Sequence, residues 1–168
     1  MEQMVEEGKI KQYGLATYSS MRLKPTENKM HLNLQKVARL AQKVVGEDKE
    51  HNFKFVQVPC NVMMPEAFVE PWQPYEDSKG VVSNKQLVQS ATEQKINVVF
   101  SQPLMQGMIS QIPISRVAVP EVYNLTARHL QLIRSVPAKA VLSTLVGMKQ
   151  PNHVKANLEV IKKPPLTR

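Results

Sequence analysis

The sequence predicts an α/β fold in which four parallel strands alternate with helices, which is half of a (β/α)8 barrel. Short apolar runs rich in β-branched residues recur along the chain, and each is followed by a segment whose apolar residues have helical spacing. Repeated strand–helix units favour parallel strands with right-handed crossovers. Such sheets bind ligands at the carboxyl ends of their strands.

The elements are predicted in the following order. Residues 1–7 form the last turns of a helix that Gly8 ends, and a strand follows over 10–17. The further strands cover 53–58, 96–101 and 140–146. The further helices cover 31–45, 84–94, 121–135 and a segment that begins at Pro151, a residue favoured at the first helical position. Long loops over 63–83 and 102–120 follow the second and third strands, where a functional site is expected.

The helix predicted over 31–45 is amphipathic and ends at Gly46. Its apolar residues recur at helical spacing and are expected to face the core. They are Leu32, Leu34, Val37, Leu40, Ala41 and Val44.

The amino-acid composition is typical of a folded domain and argues against membrane and disulfide-rich proteins. The 168 residues are 42% hydrophobic and 21% charged, which is typical of a folded domain with a substantial core. No apolar run reaches the roughly 18–20 residues of a membrane span, and the acidic N-terminus is unlike a signal peptide, so no membrane partner is expected. The single cysteine, Cys60, excludes an internal disulfide framework and a cysteine-rich zinc site. We therefore predict no metal site and a reducing, cytoplasmic setting.

The net charge of +8 raises the possibility of a nucleic-acid partner. The basic residues are scattered, however, and aromatic residues make up only 5% of the chain. They are not interleaved with the basic residues as a base-stacking surface requires. No nucleic-acid partner is therefore predicted, and a small ligand rich in phosphate fits the same charge better.

The C-terminal stretch 138–158 carries the clearest candidate for anion binding. An apolar strand is followed by Gly147, which predicts a tight turn, and then by Pro151 at a helix start. This arrangement points backbone N–H groups and the positive end of a helix dipole at one spot, which favours a phosphate. Lys149 would add a charge-assisted hydrogen bond. The alternative is an ordinary strand–helix connection with a surface lysine.

Four segments, one at each predicted strand, together resemble the C-terminal half of the aldo/keto reductase family of NADP-dependent (β/α)8-barrel oxidoreductases. They are 5–19 (VEEGKIKQYGLATYS), 55–61 (FVQVPCN), 98–107 (VVFSQPLMQG) and 142–158 (LSTLVGMKQPNHVKANL). Each is weakly specific alone, but all four occur in the family's order across nearly the whole chain. The resemblance implies that the strands are the fifth to eighth of the barrel and that 1–163 is the half-barrel domain. The remaining residues, 164–168, are predicted to be a disordered tail.

The resemblance also implies a nicotinamide site at the strand ends. Gln57 matches the glutamine that hydrogen-bonds the nicotinamide carboxamide, and Thr17 and Ala16 stand where the family has a further polar pair. Ser101 occupies the position of an aromatic ring that stacks on the nicotinamide, and the turn 102–104 matches the turn toward the pyrophosphate. The implied contacts at this end are Thr17, Gln57, Ser101, Gln102 and Leu104.

After its eighth strand, the family binds the 2′-phosphate and adenine of NADP(H) with a turn and a helix. Lys149 is the implied phosphate partner, and Ala156 replaces a glutamate near the adenine. The matching positions are Gly147, Met148, Lys149, Gln150, His153 and Asn157.

The family's catalytic tetrad of Asp, Tyr, Lys and His lies on the first four strand–helix units, which this chain does not match. The tetrad tyrosine is a general acid whose pKa depends on the neighbouring lysine and aspartate. No catalytic residue is therefore predicted here. Tyrosines are expected in the core or loops, loop carboxylates in solvent, and Cys60 as a small buried residue. The groups considered are Tyr18, Tyr75, Tyr123, His31, His51, His129, His153, Glu66, Glu70, Glu76 and Asp77.

The predicted function is the NADP(H)-binding part of an oxidoreductase that reduces a small carbonyl substrate, with the proton donor outside this chain. The alternative is a catalytically inactive binding module that uses the loops over 63–83 and 105–120. A half-barrel would expose its outer strands, and three explanations are open. The first, which we favour, is that the chain is a fragment or truncated gene product. The second is that two copies pair through their edge strands as a homodimer. The third is that a separately encoded N-terminal half completes the barrel.

Overall fold

A computed structural model describes residues 1–25, 29–115, 118–119, 122 and 124–166 of the chain. In chain order, its elements are α1 (Glu2–Glu6), β1 (Tyr13–Ala16), α2 (Leu34–Val45), β2 (Phe53–Pro59), α3 (Glu66–Val69), β3 (Gln73–Glu76), β4 (Val82–Lys85), α4 (Leu87–Glu93), β5 (Asn97–Ser101), α5 (Leu125–Arg134), β6 (Val141–Thr144) and α6 (Pro151–Ile161). Short 3-10 helices cover Ser20–Arg22 and Met105–Gln111.

The main sheet has the strand order β1-β2-β5-β6, and every neighbouring pair is parallel. The predicted α/β half-barrel of four parallel strands is therefore confirmed. The strand order follows the order along the chain, as it does in a barrel whose strands are joined by helical crossovers.

One face of this sheet packs against helices, and the other face is more open. Val56 and Val58 of β2 and Phe100 of β5 are fully buried in the main core. Gln57 and Ser101 alternate with them along the strands and are half-buried. Side chains point to opposite faces of a strand in alternation, so Gln57 and Ser101 lie on the face away from the helices.

Helix α2 confirms the predicted helix, although its buried face is narrower than expected. Its buried residues are Leu34, Ala38 and Ala41. The prediction that Leu40 and Val44 face the core is wrong, since these side chains are 65% and 74% exposed. The rotation of the helix places Leu34 and the two alanines toward the neighbouring elements, whereas Leu40 and Val44 lie on the solvent side.

The segment 63–83 was predicted as a loop, and this prediction is wrong because it contains α3 and most of an antiparallel β3–β4 hairpin. Helix α2 holds the hairpin in place. The side-chain amide of Asn33 donates to the carbonyl of Pro74 at 2.5 Å. The buried Gln73 side chain accepts a hydrogen bond from the N–H of Leu34 at 2.8 Å. These contacts join residues about forty positions apart, so no local pattern predicts them.

Two further predictions meet the limits of the described ranges. Helix α5 begins at Leu125, and Glu121 and Tyr123 of the predicted helix 121–135 lie outside the described residues. In the predicted tail, Pro164 accepts a hydrogen bond from Gln131 at 2.5 Å, whereas residues 167–168 lie outside the described residues. No helix within the described ranges combines the length and apolar character needed to cross a bilayer.

At the amino end of the sheet, the buried Glu2 carboxylate joins α1 to β1 and β2. It accepts hydrogen bonds from the Tyr13 hydroxyl at 2.9 Å and from the backbone and side-chain amides of Asn52 at 2.8 and 2.9 Å. Burial raises the pKa of this carboxyl, but the hydrogen bonds outweigh burial and leave the pKa of Glu2 below its ordinary value of 4.5. The folded state therefore favours the ionised carboxylate of Glu2.

We expect Glu2→Gln to flatten the loss of stability in acid. Because the pKa of Glu2 is lower in the folded state, its contribution is complete above about pH 4.5 and is lost as the pH falls through the folded-state pKa. Glu6→Gln on the same helix is the matched control, since the Glu6–Lys49 pair is exposed and 3.7 Å apart. Urea denaturation at several pH values from neutral to about pH 3 measures how the free energy of unfolding depends on pH. If that free energy falls equally steeply in acid for wild type and Glu2→Gln, this role of Glu2 is contradicted.

Candidate functional site

Three of the predicted cofactor contacts lie near the carboxyl ends of neighbouring strands. Ala16 of β1 is opposite Gln57 of β2, and the N–H of Thr17 donates to the carbonyl of Gln57 at 2.8 Å. The Thr17 hydroxyl lies 3.4 Å from the same oxygen. Pro59 of β2 is opposite Ser101 of β5. The structure therefore brings Thr17, Gln57 and Ser101 to one edge of the sheet, where all three are half-buried.

Strand β5 ends in a strained turn. The N–H of Met105 donates to the carbonyl of Gln102 at 3.2 Å and closes it. Gln102 and Met105 have φ angles of 52° and 45°, in the left-handed region that costs a non-glycine residue about 1–2 kcal/mol. Such strain persists only where the surroundings impose it. Here the buried Asn61 donates from its side-chain amide to the same Gln102 carbonyl at 2.9 Å.

The start of α6 carries the candidate phosphate site. Pro151 is the first helical residue, as predicted, and Gln150 is the N-cap. The predicted contacts gather along the connection and the first two turns of this helix. Gly147, Met148, Lys149, Gln150 and His153 are exposed, and Asn157 is half-buried.

The connection between β6 and α6 differs from the prediction at Gly147. No turn is present over 145–149, and Gly147 does not have a positive φ angle, so the predicted tight glycine turn is wrong. The chain instead continues along β5 beyond the end of β6, because the N–H of Leu145 donates to the carbonyl of Phe100 at 2.8 Å. Six residues, 145–150, then separate β6 from α6.

The turn after β5 and the connection after β6 pack on the same apolar cluster. Leu104 and Val146 both contact this cluster. Its buried members are Val119, Val122, Ala127, Leu130 and Val160. Met148 and Asn157 also line a cavity of about 320 Å³ between β6, α5 and α6. Leu130 and Val160 of the cluster line the same cavity. Met148 and Asn157, near the start of α6, therefore adjoin the cluster that Leu104 contacts from the turn after β5.

No family model and no curated protein matches the sequence. Solved structures do match it. An aldo-keto reductase from Bacillus halodurans in its holo form has a TM-score of 0.57 at 18% identity. The match covers 99% of this chain and 49% of the reductase. Its apo form has a TM-score of 0.55 at 19% identity, with coverage of 99% and 50%. A thermostable aldo-keto reductase in complex with the inhibitor epalrestat has a TM-score of 0.57 at 13% identity, with coverage of 98% and 47%.

The chain has the fold of half an aldo-keto reductase. It spans about half the length of the structures it matches. The resemblance drawn from the four sequence segments is confirmed as a likeness of fold, and the parallel sheet corresponds to part of the (β/α)8 barrel of those proteins.

Other potentially reactive side chains of this half-barrel are buried or lie beside a hydrogen-bond partner. Burial raises the pKa of the Cys60 thiol to about 12, so this thiol is protonated at neutral pH and a poor nucleophile. Burial and the nearby Glu93 also raise the pKa of Tyr75. The ring of the fully buried His129 lies 2.9 Å from the carbonyl oxygen of Ile112. Within the described ranges, no cluster of three His, Cys, Asp or Glu side chains could hold a metal ion.

An ion pair beside the site was missed by the sequence analysis. Arg22 follows β1, Glu66 begins α3, and the guanidinium donates to both carboxylate oxygens at 2.9 and 2.8 Å. The side chains are only 10% and 22% exposed, so the expectation that Glu66 is solvated is wrong. This pair ties the loop after β1 to the loop after β2. It joins residues 44 positions apart, and no sequence signal could have paired them.

Proposed function

We propose that this half-barrel is the NADP(H)-binding part of a carbonyl-reducing oxidoreductase. The observation that carries the proposal is the meeting of Thr17, Gln57 and Ser101 at the carboxyl ends of adjacent parallel strands in a chain with this fold. Ligands bind at that end of parallel barrel strands. Bound there, a nicotinamide cofactor supplies the hydride that reduces a carbonyl carbon. The residues of this chain bind and orient the cofactor.

At the nicotinamide end, the Gln57 side chain is the principal contact. Its amide forms no hydrogen bond within the described part of the chain, so both its donor and its acceptor are free for a carboxamide. A half-buried position shields such a bond from water and strengthens it. The Thr17 hydroxyl lies beside it. Ser101 has no aromatic ring, so it cannot stack on the nicotinamide.

At the phosphate end, two features favour a dianion. Helix α6 has 11 residues, and its dipole places partial positive charge at Pro151. Lys149 lies two residues before this helix start. Its side chain is exposed, so the ammonium can reach a ligand bound at the helix start. A 2′-phosphate on the adenosine ribose satisfies both features. The site should therefore prefer NADP(H) over NAD(H).

We expect Lys149→Ala to weaken NADPH binding by roughly 10–100-fold, since a charge-assisted hydrogen bond contributes about 1.5–3 kcal/mol. Binding of NADH, which lacks the 2′-phosphate, should change little. Lys155→Ala is the matched control, because Lys155 is an exposed lysine nearby in α6 and lies outside the predicted contacts. Fluorescence titration of NADPH and NADH into each protein measures the affinities.

Two results would overturn the proposal. One is the absence of saturable binding of either cofactor to the folded wild-type chain. The other is an equal loss of NADPH affinity in Lys149→Ala and Lys155→Ala, which would indicate general attraction to a basic surface rather than a site.

Reduction of a small carbonyl substrate requires a second half-barrel in this proposal. Strands β1 and β6 are the outer strands, and neither has a second neighbour within the described residues. Leu142 and Leu145, at and just beyond β6, are exposed. An N-terminal half would supply the proton donor, whether it belongs to the same longer polypeptide, as we favour, or is separately encoded. A second copy of this chain would close the sheet without that donor. Sedimentation of the purified chain, alone and with NADPH, measures whether it pairs with itself.

A second candidate function is a catalytically inactive binding module. The observation that favours it is the ordered β3–β4 hairpin, which α2 holds at the rim and which exposes Val81 and Val82. Exposed apolar side chains at a hairpin tip suit a protein partner. Failure of cofactor binding, together with retained folding, would favour this function.

A further inference from the structure

We propose that Asn61 is a positioning residue for cofactor binding, whose side chain holds the turn after β5 in the shape that receives a pyrophosphate. The inference rests on the proposed function and names a residue that the sequence analysis gave no role. Asn61 lies just beyond β2 and is fully buried.

Both polar ends of the Asn61 side chain are engaged. Its carbonyl oxygen accepts a hydrogen bond from the N–H of Met63 at 2.9 Å, and its amide donates to the carbonyl of Gln102 at 2.9 Å. The first bond fixes the orientation of the amide group. The second bond reaches the neighbouring strand end. A buried side chain anchored at both ends has little freedom, so it transmits its geometry to the Gln102 peptide.

This contact extends the pairing of β2 with β5 beyond the strands. The N–H of Cys60 donates to the carbonyl of Ser101 at 2.9 Å, which is a normal backbone link. One residue further, the backbone of Gln102 turns to a φ angle of 52°. The backbone N–H of Asn61 is directed to Met64 instead, at 3.4 Å. The Asn61 side chain therefore supplies the donor for the Gln102 carbonyl across the strand ends.

The orientation of the Gln102 peptide, which Asn61 fixes, determines where the backbone N–H of Leu104 points. Pro103 has no N–H, so the first backbone N–H after Gln102 is that of Leu104. That N–H forms no hydrogen bond within the described part of the chain. The carbonyl of Gln102 also accepts from Met105, which closes the turn around this donor. A free N–H in a fixed turn is a good partner for a phosphate oxygen.

The test compares a ligand that contains the pyrophosphate with one that lacks it. We expect Asn61→Ala to weaken binding of NADP⁺ by about tenfold, as loss of one positioning hydrogen bond implies. Binding of adenosine 2′-monophosphate, which has only the phosphate end, should be unchanged. Asn97→Ala is the matched control, since Asn97 donates across the same two strands to the carbonyl of Lys54 at 3.3 Å, at their amino ends.

A second variant keeps the test decisive if Asn61→Ala does not fold. Asn61→Asp keeps the volume and the acceptor for Met63 but loses the donor while it is ionised. A protonated carboxyl can donate to the Gln102 carbonyl, so NADP⁺ affinity relative to wild type should recover as the pH falls through the pKa of the new carboxyl. A purely structural role for Asn61 gives no such recovery specific to NADP⁺.

The outcomes separate this inference from the proposed function. If wild type binds NADP⁺ and the Asn61 variants bind it equally well, the positioning role is overturned and the cofactor site stands. If Asn61→Ala loses both ligands to the same extent, or Asn61→Asp shows no recovery in acid, the role is structural and the inference fails. If wild type binds neither ligand, the proposed function and this inference fail together.

Discussion

Replacing Gly14 by alanine should destabilise the fold by about 3 kcal/mol, because there is no space for a side chain at this position. A Cβ on Gly14 would lie 2.4 Å from the carbonyl oxygen and 2.6 Å from the Cβ of Phe55 on the neighbouring strand. Backbone atoms of a paired strand cannot move aside as a flexible side chain can. Strand β1 would therefore have to separate from β2, at the point where their register is already irregular.

The matched control for Gly14→Ala is Gly147→Ala. A Cβ at Gly147 meets nothing within 4 Å, and its φ angle is not positive. Alanine also restricts the unfolded chain, so this variant should be neutral or slightly more stable than wild type. Urea unfolding of both variants measures the difference in the free energy of unfolding. A Gly14→Ala protein as stable as Gly147→Ala would show that β1 does not pack as described.

Arg22→Met should cost about 3 kcal/mol, the scale for breaking a buried pair by removing one partner. The Glu66 side chain, which is only 22% exposed beside Arg22, would lose its forked guanidinium partner. Since the pair ties the loops after β1 and β2, its loss should also loosen the rim of the candidate site. Thermal unfolding measures the stability change, and amide hydrogen exchange of 18–22 and 62–66 measures the loosening.

An exposed ion pair gives the control for this effect. Arg39 and Glu76 approach to 2.7 Å, but their side chains are 57% and 41% exposed. Arg39→Met should therefore cost less than about 1 kcal/mol. In the double variant Arg22→Met/Glu66→Met, much of the lost stability should return, because no unpaired charge is left behind. If Arg22→Met and Arg39→Met cost the same, the Arg22–Glu66 pair is not the buried pair described above.

The central strands could be predicted closely from the sequence, and the outer strands less so. Runs of Val and Phe placed β2 and β5 within one residue of their observed bounds. The predicted strands 10–17 and 140–146 are longer than Tyr13–Ala16 and Val141–Thr144. Among the residues that the structure describes, these outer strands have one neighbour each, so fewer hydrogen bonds hold their ends in strand conformation.

Contacts between distant residues explain most of what could not be predicted. Local patterns indicate which residues are apolar, but not that Ala38 rather than Leu40 faces inward on α2. At the candidate site, Gln57 could be proposed as a contact because it stands in a strand motif that resembles one of the aldo/keto reductase family. The hydrogen bond from Asn61 to Gln102 could not, because it depends on a positive φ angle and a contact across 41 positions.

The most direct test of cofactor binding by this half-barrel is an amide NMR titration of the folded chain with NADP⁺. We expect saturable shifts at Gln57, at 101–104 and at the start of α6, with no change around Glu2 and Asn52 at the opposite end of the sheet. The shifts should persist at moderate salt, since a formed site does not depend on diffuse charge alone. Absence of saturable shifts, or shifts confined to scattered surface lysines and abolished by salt, would contradict the proposal that this half-barrel binds the cofactor.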